Sequence, residues 1–357
     1  MSNLFQPINF KSGTTIKNRF MLAPLTNTQS HVDGRLSDDE YHWLTMRAKG
    51  GFGLTMTCAA HVQAVGQGFL GQLGIFGDEH LEGLTRLAKG INDEDSLSVV
   101  QLHHAGMRSP AELIGQSPVC PSDHADTGAV ALSTEQVDQL IEDFILGAER
   151  AVTAGFDGVE IHGAHGYILA QFLSGTINQR QDKYGGSIEN RMRPITEIIE
   201  GIRARCPKNF LLGLRLSPER FDVHLPDIIE VAKRILADAK IDFLDMSLWD
   251  SFKEPEDEAF KGRSLLSYFT ELERGDVALG IAGKLRDPNE VRLAMEADID
   301  FVLLGRAAIL HHDFPLQMHA DSNFTPVSNP VSTDHLREQG LGEAFITYMS
   351  SWKGFVS

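Results

Sequence analysis

Val159-Glu160-Ile161-His162-Gly163-Ala164-His165-Gly166-Tyr167 is an apolar run of strand character that ends in a glycine-punctuated turn carrying two imidazoles and a phenol. Working outward, the same arrangement recurs in both directions: a short apolar, β-rich run, then a longer segment of helical period. Strand candidates fall at 19–25, 54–60, 97–102, 158–161, 210–216, 243–246, 277–281 and 301–304. Helix candidates lie near 38–49, 79–90, 134–154, 189–205, 226–238, 264–274 and 287–296. Alternation of this kind implies a parallel sheet with right-handed crossovers, and eight units favour a closed α/β cylinder, the (β/α)8 TIM barrel. Local signals agree. Ser133-Thr134-Glu135-Gln136 has capping-box spacing, and Asp287-Pro288-Asn289-Glu290 places a cap, a first-turn proline and an acid before Val291.

Composition sets the outer limits. The 357 residues are 42% hydrophobic and 23% charged, as in a globular protein, and the formal net charge is -17. That charge argues against nucleic-acid and anionic-membrane surfaces, so any phosphate site must be locally basic or built from backbone amides. Cys58, Cys120 and Cys206 match no metal pattern and suggest a reducing compartment. The start of the chain lacks the pattern of a signal peptide, and no apolar run could span a bilayer. The expectation is a cytoplasmic protein with one domain over 1–357, of which 321–357 is a C-terminal extension that packs on a partner subunit.

Two connections are longer than a barrel requires: 105–132 after the third strand and 248–263 after the sixth, both candidate lids over the catalytic mouth. A barrel gathers its strand C-termini around one cavity. The residues expected there are Ala23-Pro24-Leu25-Thr26, Ala59-Ala60, Gln101 with His103-His104, then His162, His165 and Tyr167, Arg215, Ser247, Gly283 and Gly305-Arg306. Gly283, Gly305 and Arg306 follow the seventh and eighth strands, where such barrels often hold phosphate. Arg215 is a charge inside an apolar strand. It is either a structural ion pair or a fixed positive charge beneath a ligand that becomes anionic. Gln101, equally embedded, can donate to and accept from a heteroaromatic edge. His162 and His165 have two plainer readings: satisfied buried histidines, or metal ligands together with His103 or His104. No convincing carboxylate partner for a metal stands at the strand ends.

These residues, with Asn178-Gln179-Arg180-Gln181-Asp182-Lys183-Tyr184-Gly185-Gly186-Ser187 and Glu189-Asn190-Arg191, resemble the Old Yellow Enzyme family of FMN-dependent ene-reductases. The likeness also covers Leu4-Phe5-Gln6-Pro7, Gln101-Leu102-His103-His104-Ala105-Gly106 and Leu214-Arg215-Leu216-Ser217. It implies FMN bound at the barrel mouth and NADPH or NADH as a transient reductant. By the same resemblance, hydride would then pass from flavin N5 to enones, enals, maleimides or nitroalkenes in ping-pong turnover.

By position, Ala23, Pro24, Leu25 and Thr26 would line the flavin ring and Ala60 and Gln101 its pyrimidine edge. Arg215 would face N1, and Ser247, Gly283, Gly305 and Arg306 would hold the phosphate. His162 and His165 would hold the acceptor oxygen, and Tyr167 would protonate the alkene. A homodimer or homotetramer is usual for such barrels. A metal-dependent barrel hydrolase or lyase and a non-catalytic flavin-binding protein are the alternatives. Two departures stand out. Gly106 is followed by Met107 and only then by Arg108, and 91–96 replaces a stretch that often contains histidine; neither is expected to touch the chemistry.

Overall fold

The computed structural model describes residues 3–357. Eight parallel strands close into a barrel in which neighbours in sequence are neighbours in space. They are β1 (Phe20–Leu22), β2 (Leu54–His61), β3 (Leu97–His103), β4 (Gly158–Gly163), β5 (Leu211–Leu216), β6 (Phe243–Ser247), β7 (Ala278–Ala282) and β8 (Phe301–Leu304). Pairing of Leu304 with Leu22 closes the cylinder, so the barrel has no open edge. Every residue of β4 and β5 is buried, as expected of parallel strands covered on both faces. The helices α1 (Asp38–Lys49), α2 (Leu81–Asn92), α3 (Thr134–Ala154), α4 (Ile188–Arg205), α5 (Leu225–Asp238), α6 (Ser267–Thr270), α7 (Pro288–Met295) and α8 (Arg306–Leu310) follow the strands in turn.

The expected caps form. Ser133 Oγ accepts from the Gln136 amide at 3.2 Å while Gln136 Oε1 accepts from the Ser133 amide at 2.8 Å. Asp287 Oδ1 accepts from the amides of Asn289 and Glu290, both at 2.9 Å. Other expectations shift for local reasons. The 19–25 strand shortens to β1: the Ala23 amide still reaches Leu304 at 3.0 Å, but Pro24 has no N–H to continue the ladder. The 264–274 helix contracts to the four residues of α6. Beyond it Arg274 is drawn away to Asp300 at 2.9 Å and Asp298 at 2.8 Å. Helix α8 was not anticipated.

The 321–357 segment packs on its own barrel. Phe345 meets Trp43 of α1 edge-on at 4.9 Å, and the Gly342 amide donates to Gln29 at 2.8 Å. The 105–132 loop is braced from 178–193. Arg180 donates to the carbonyls of Pro121 and Leu132, and the Gln179 amide donates to Ser122 at 2.9 Å. Much of the polar run in the sequence resemblance is therefore scaffold.

Aromatic side chains fill the lower part of the barrel. Phe243 and Phe301 stand almost perpendicular with centroids 5.8 Å apart, and Phe10 packs 6.0 Å from Phe243. Two glycines make room for them. A Cβ on Gly280 would lie 1.8 Å from Phe301 Cε2, and one on Gly213 would lie 2.1 Å from Phe243 Cζ. Because the plug is close-packed, neither ring can retreat cheaply. Gly280→Ala should cost about 1–3 kcal/mol of stability, read as a lowered urea midpoint; an unchanged midpoint would show that the ring is not confined.

Candidate active site

The floor of the site is a polar layer above that plug. Register pairs Gln101 with Glu160, His162 with Arg215, and Arg215 with Asp245. Gln101 Nε2 donates to Glu160 Oε1 at 2.7 Å. Arg215 Nε lies 2.8 Å from Asp245 Oδ2, close enough for an ion pair although not aligned as a hydrogen bond. Burial raises both carboxyl pKa values. The charge of Asp245 raises Glu160 further, and Arg215 pulls both back. Glu160 therefore holds its proton more tightly, and Asp245 carries the charge that faces Arg215. The sequence reading found no carboxylate at the strand ends, so it missed both acids. Their signal was available: Glu160 stands two residues before His162, and Asp245 two before Ser247, each pair on one strand face.

Above this layer runs a chain of imidazoles. His103 Nδ1 lies 3.0 Å from His162 Nδ1, His162 Nε2 lies 2.9 Å from His165 Nδ1, and His165 Nε2 lies 2.7 Å from Ser247 Oγ. Burial depresses the pKa of all three histidines, reinforced by their positive neighbours, Arg215 among them for His162 and His165. Neutral rings carry one N–H each, so the bonds must all point the same way along the chain. His165 sits at φ 59, in the left-handed region that a non-glycine residue rarely adopts, and its amide donates to Ser217 Oγ at 3.0 Å. Gly166 follows at φ 69, where a Cβ would also meet Phe221 at 3.0 Å. Tyr167 lies edge-to-face with His103 at 4.4 Å and 5.0 Å from His162. His103 was expected at the mouth but was given no catalytic or cofactor-binding role.

A cavity of about 330 Å³ opens at the mouth. Of the positions expected to hold a cofactor, Ala23, Pro24, Leu25, Arg215, Ser247, Gly283, Gly305 and Arg306 line it, together with His165, Lys284, Trp249 and Trp352. Three do not. Gln101 lies in the polar layer bonded to Glu160, and Thr26 is not among the lining residues. Ala60 packs outward with the helix-facing core, because β2 shifts register between Met56 and Ala59. The alternate position, Ala59, is the one paired with Gln101. Ser247, expected at the phosphate, lines the cavity with Gly283, Gly305 and Arg306 and also bonds His165. A larger cavity of about 610 Å³ lies behind Arg306, among α7, α8 and residues 323–329. It contains none of the imidazoles, so the smaller cavity is the one joined to the chemistry.

Residues 3–323 match the sequence model of the NADH:flavin oxidoreductase / NADH oxidase family. The chain belongs to that family. It is 35% identical over 325 residues to the probable NADH-dependent flavin oxidoreductase YqiG of Bacillus subtilis (strain 168), covering 88% of this chain and 87% of the relative. It is 31% identical over 335 residues to the NADPH dehydrogenase of the same organism, covering 92% and 97%. Among solved structures, an Old Yellow Enzyme homologue from Zymomonas mobilis superposes with TM-score 0.81 at 26% identity, over 97% of this chain and 99% of that one. This family member is an NAD(P)H-dependent flavin oxidoreductase with FMN as its cofactor. Among the described residues, no three of His, Cys, Asp and Glu are arranged to hold a metal ion.

The buried imidazoles make stability pH-dependent. Seven histidines have depressed pKa values, His61 to about 4 and His104 to about 3 among them. Four acids, Glu40, Asp157, Glu160 and Asp245, are raised. A histidine held below its unfolded value takes up a proton on unfolding, so its contribution is lost as pH falls below about 6.5. The raised acids act in the opposite sense but are fewer. Unfolding free energy from urea titrations should therefore drop between about pH 6.5 and pH 5; a flat or rising profile would mean that these rings are charged in the folded state.

Proposed function

We propose that the chain reduces the C=C bond of activated alkenes (enones, enals, maleimides and nitroalkenes) in ping-pong turnover, with FMN seated in the 330 Å³ cavity. The observation that carries this reading is that His165 lines the same cavity as Arg215 while Tyr167 packs against His162. Hydrogen-bond donors and a phenol thus share one rim above a slot with a cationic floor. The lining residues suit FMN. Ala23, Pro24 and Leu25 offer an apolar wall, and Arg215 a fixed charge for the pyrimidine edge. At the far end Gly283 and Gly305 leave room for close approach: a Cβ on Gly283 would meet backbone nitrogen of Ser251 at 3.0 Å. Arg306 is half-buried with no carboxylate in ion-pair distance among the described residues, and burial and Arg286 both disfavour its charge. A phosphate would relieve that.

Bound FMN supplies hydride transfer between NAD(P)H and the alkene. The rest falls to this chain's own groups. The neutral imidazoles of His162 and His165 can each give one N–H to an acceptor oxygen. With the chain donating from His103 towards Ser247, His165 must first turn out of its bonds to His162 and Ser247, which frees the His162 N–H as well. Loss of one such donor costs about 3–4 kcal/mol in the transition state. Burial raises the pKa of Tyr167 and the charge of Arg108 restrains that rise, so the phenol stays protonated near neutral pH and can deliver its proton to the alkene carbon. Tyr167→Phe should slow alkene reduction by about 10²–10⁴-fold and leave flavin reduction by NAD(P)H nearly unchanged in anaerobic stopped flow. Equal slowing of both half-reactions would remove the phenol from this role.

A further inference from the structure

The departure at Met107-Arg108 places a cation against the proposed proton donor. Arg108 lies in the Gly106–Arg108 turn after β3. Its guanidinium carbon stands 4.7 Å from the Tyr167 ring centroid and 5.9 Å from that of Phe221. One nitrogen, Nη1, donates to the His165 carbonyl. The remaining N–H groups have no partner among the described residues, and no carboxylate lies within ion-pair distance. Of the other cations near the mouth, Arg220 pairs with Glu256 at 3.8 Å, Lys253 with Glu219 at 2.5 Å and Lys284 with Asp250 at 3.0 Å, while Arg306 stands at the end of the cavity proposed for the phosphate. In a chain of net charge -17, acids are plentiful, so an unmatched guanidinium stacked on the proposed proton donor is a local choice against the overall field.

We infer that Arg108 selects acceptors bearing a carboxylate: an enone or enal whose anionic group meets the free guanidinium edge while His162 and His165 hold the carbonyl oxygen. This rests on the alkene-reductase reading above. The chemistry favours it on three counts. Stacking on Tyr167 and the bond to His165 fix the plane of the guanidinium, so little freedom is lost when a carboxylate binds its edge. A planar fork matches a carboxylate in two parallel N–H···O bonds. The group is also exposed, so it can meet a substrate without the desolvation cost of a buried cation.

The test uses FMN-loaded wild type, Arg108→Ala and Arg108→Lys. Each is titrated with para-hydroxybenzoate and its methyl ester by flavin absorbance, then reoxidised with β-acetylacrylate and its methyl ester. Reduction by NADH and by NADPH is followed in parallel. Wild type should prefer each acid over its ester. Arg108→Ala should cut the acid-to-ester ratio about tenfold or more, Arg108→Lys should restore part of it, and added salt should shrink the ratio only where the cation remains. The ratio cancels any general disturbance of the site. The same ratio in wild type and Arg108→Ala overturns the proposal, as does an equal weakening of NAD(P)H binding, which would assign Arg108 to nucleotide phosphates. Reduction of both acceptors with an unmoved ratio removes only this inference. Flavin that NAD(P)H bleaches but neither acceptor reoxidises removes the alkene-reductase reading with it.

Discussion

A guanidinium inside the barrel is the constraint to which the rest of the site conforms. An uncompensated charge at the position of Arg215 would cost several kcal/mol or more, so the strands beside it carry its partners. Asp245 on β6 supplies the opposite charge, while Glu160 on β4 remains the more tightly protonated acid and is oriented by Gln101 on β3. The arrangement is directional. Arg215 reaches the mouth cavity, whereas Asp245 is fully buried. A ligand at the mouth therefore meets the cation and not its counter-charge.

The imidazole chain is a second consequence of burial. Rings kept neutral by desolvation and by nearby cations act as relays of hydrogen bonds rather than as charges, and each has one donor and one acceptor to place. The turn that carries His165 is held in a left-handed conformation by the Ser217 hydroxyl and by the space that Gly166 leaves for Phe221. Backbone strain is thus maintained where a side chain must point across the cavity instead of along the strand.

Much of the fold was legible because its signals are local. Apolar runs separated by segments of helical period marked all eight strands, and Ser133 and Asp287 marked the starts of their helices. Most of the cavity lining was legible too, since residues just past strand ends must converge in a barrel. The rest turned on strand register or on loop path. Which way a strand residue faces depends on register, and the shift in β2 turned Ala60 toward the helices. Glu160 was read as part of a motif and Asp245 passed unnoticed, because each becomes meaningful only beside Arg215 on an adjacent strand. Arg108 was set aside because a loop residue has no period from which to infer its neighbours.

The sequence alone determined the closed parallel barrel, the segments that meet at its mouth and the residue types available there; periodicity, capping and strand-end position act over a few residues and survive in one dimension. Tertiary structure decided the pairings: Arg215 with Asp245, His165 with Ser247, Arg108 over Tyr167, and 178–193 as a brace for a distant loop. These contacts join residues separated by up to about eighty positions in the chain. Distances of that kind are fixed only when strand register and loop path are fixed, because hydrogen bonds and ion pairs depend on ångström-scale separation and not on sequence spacing.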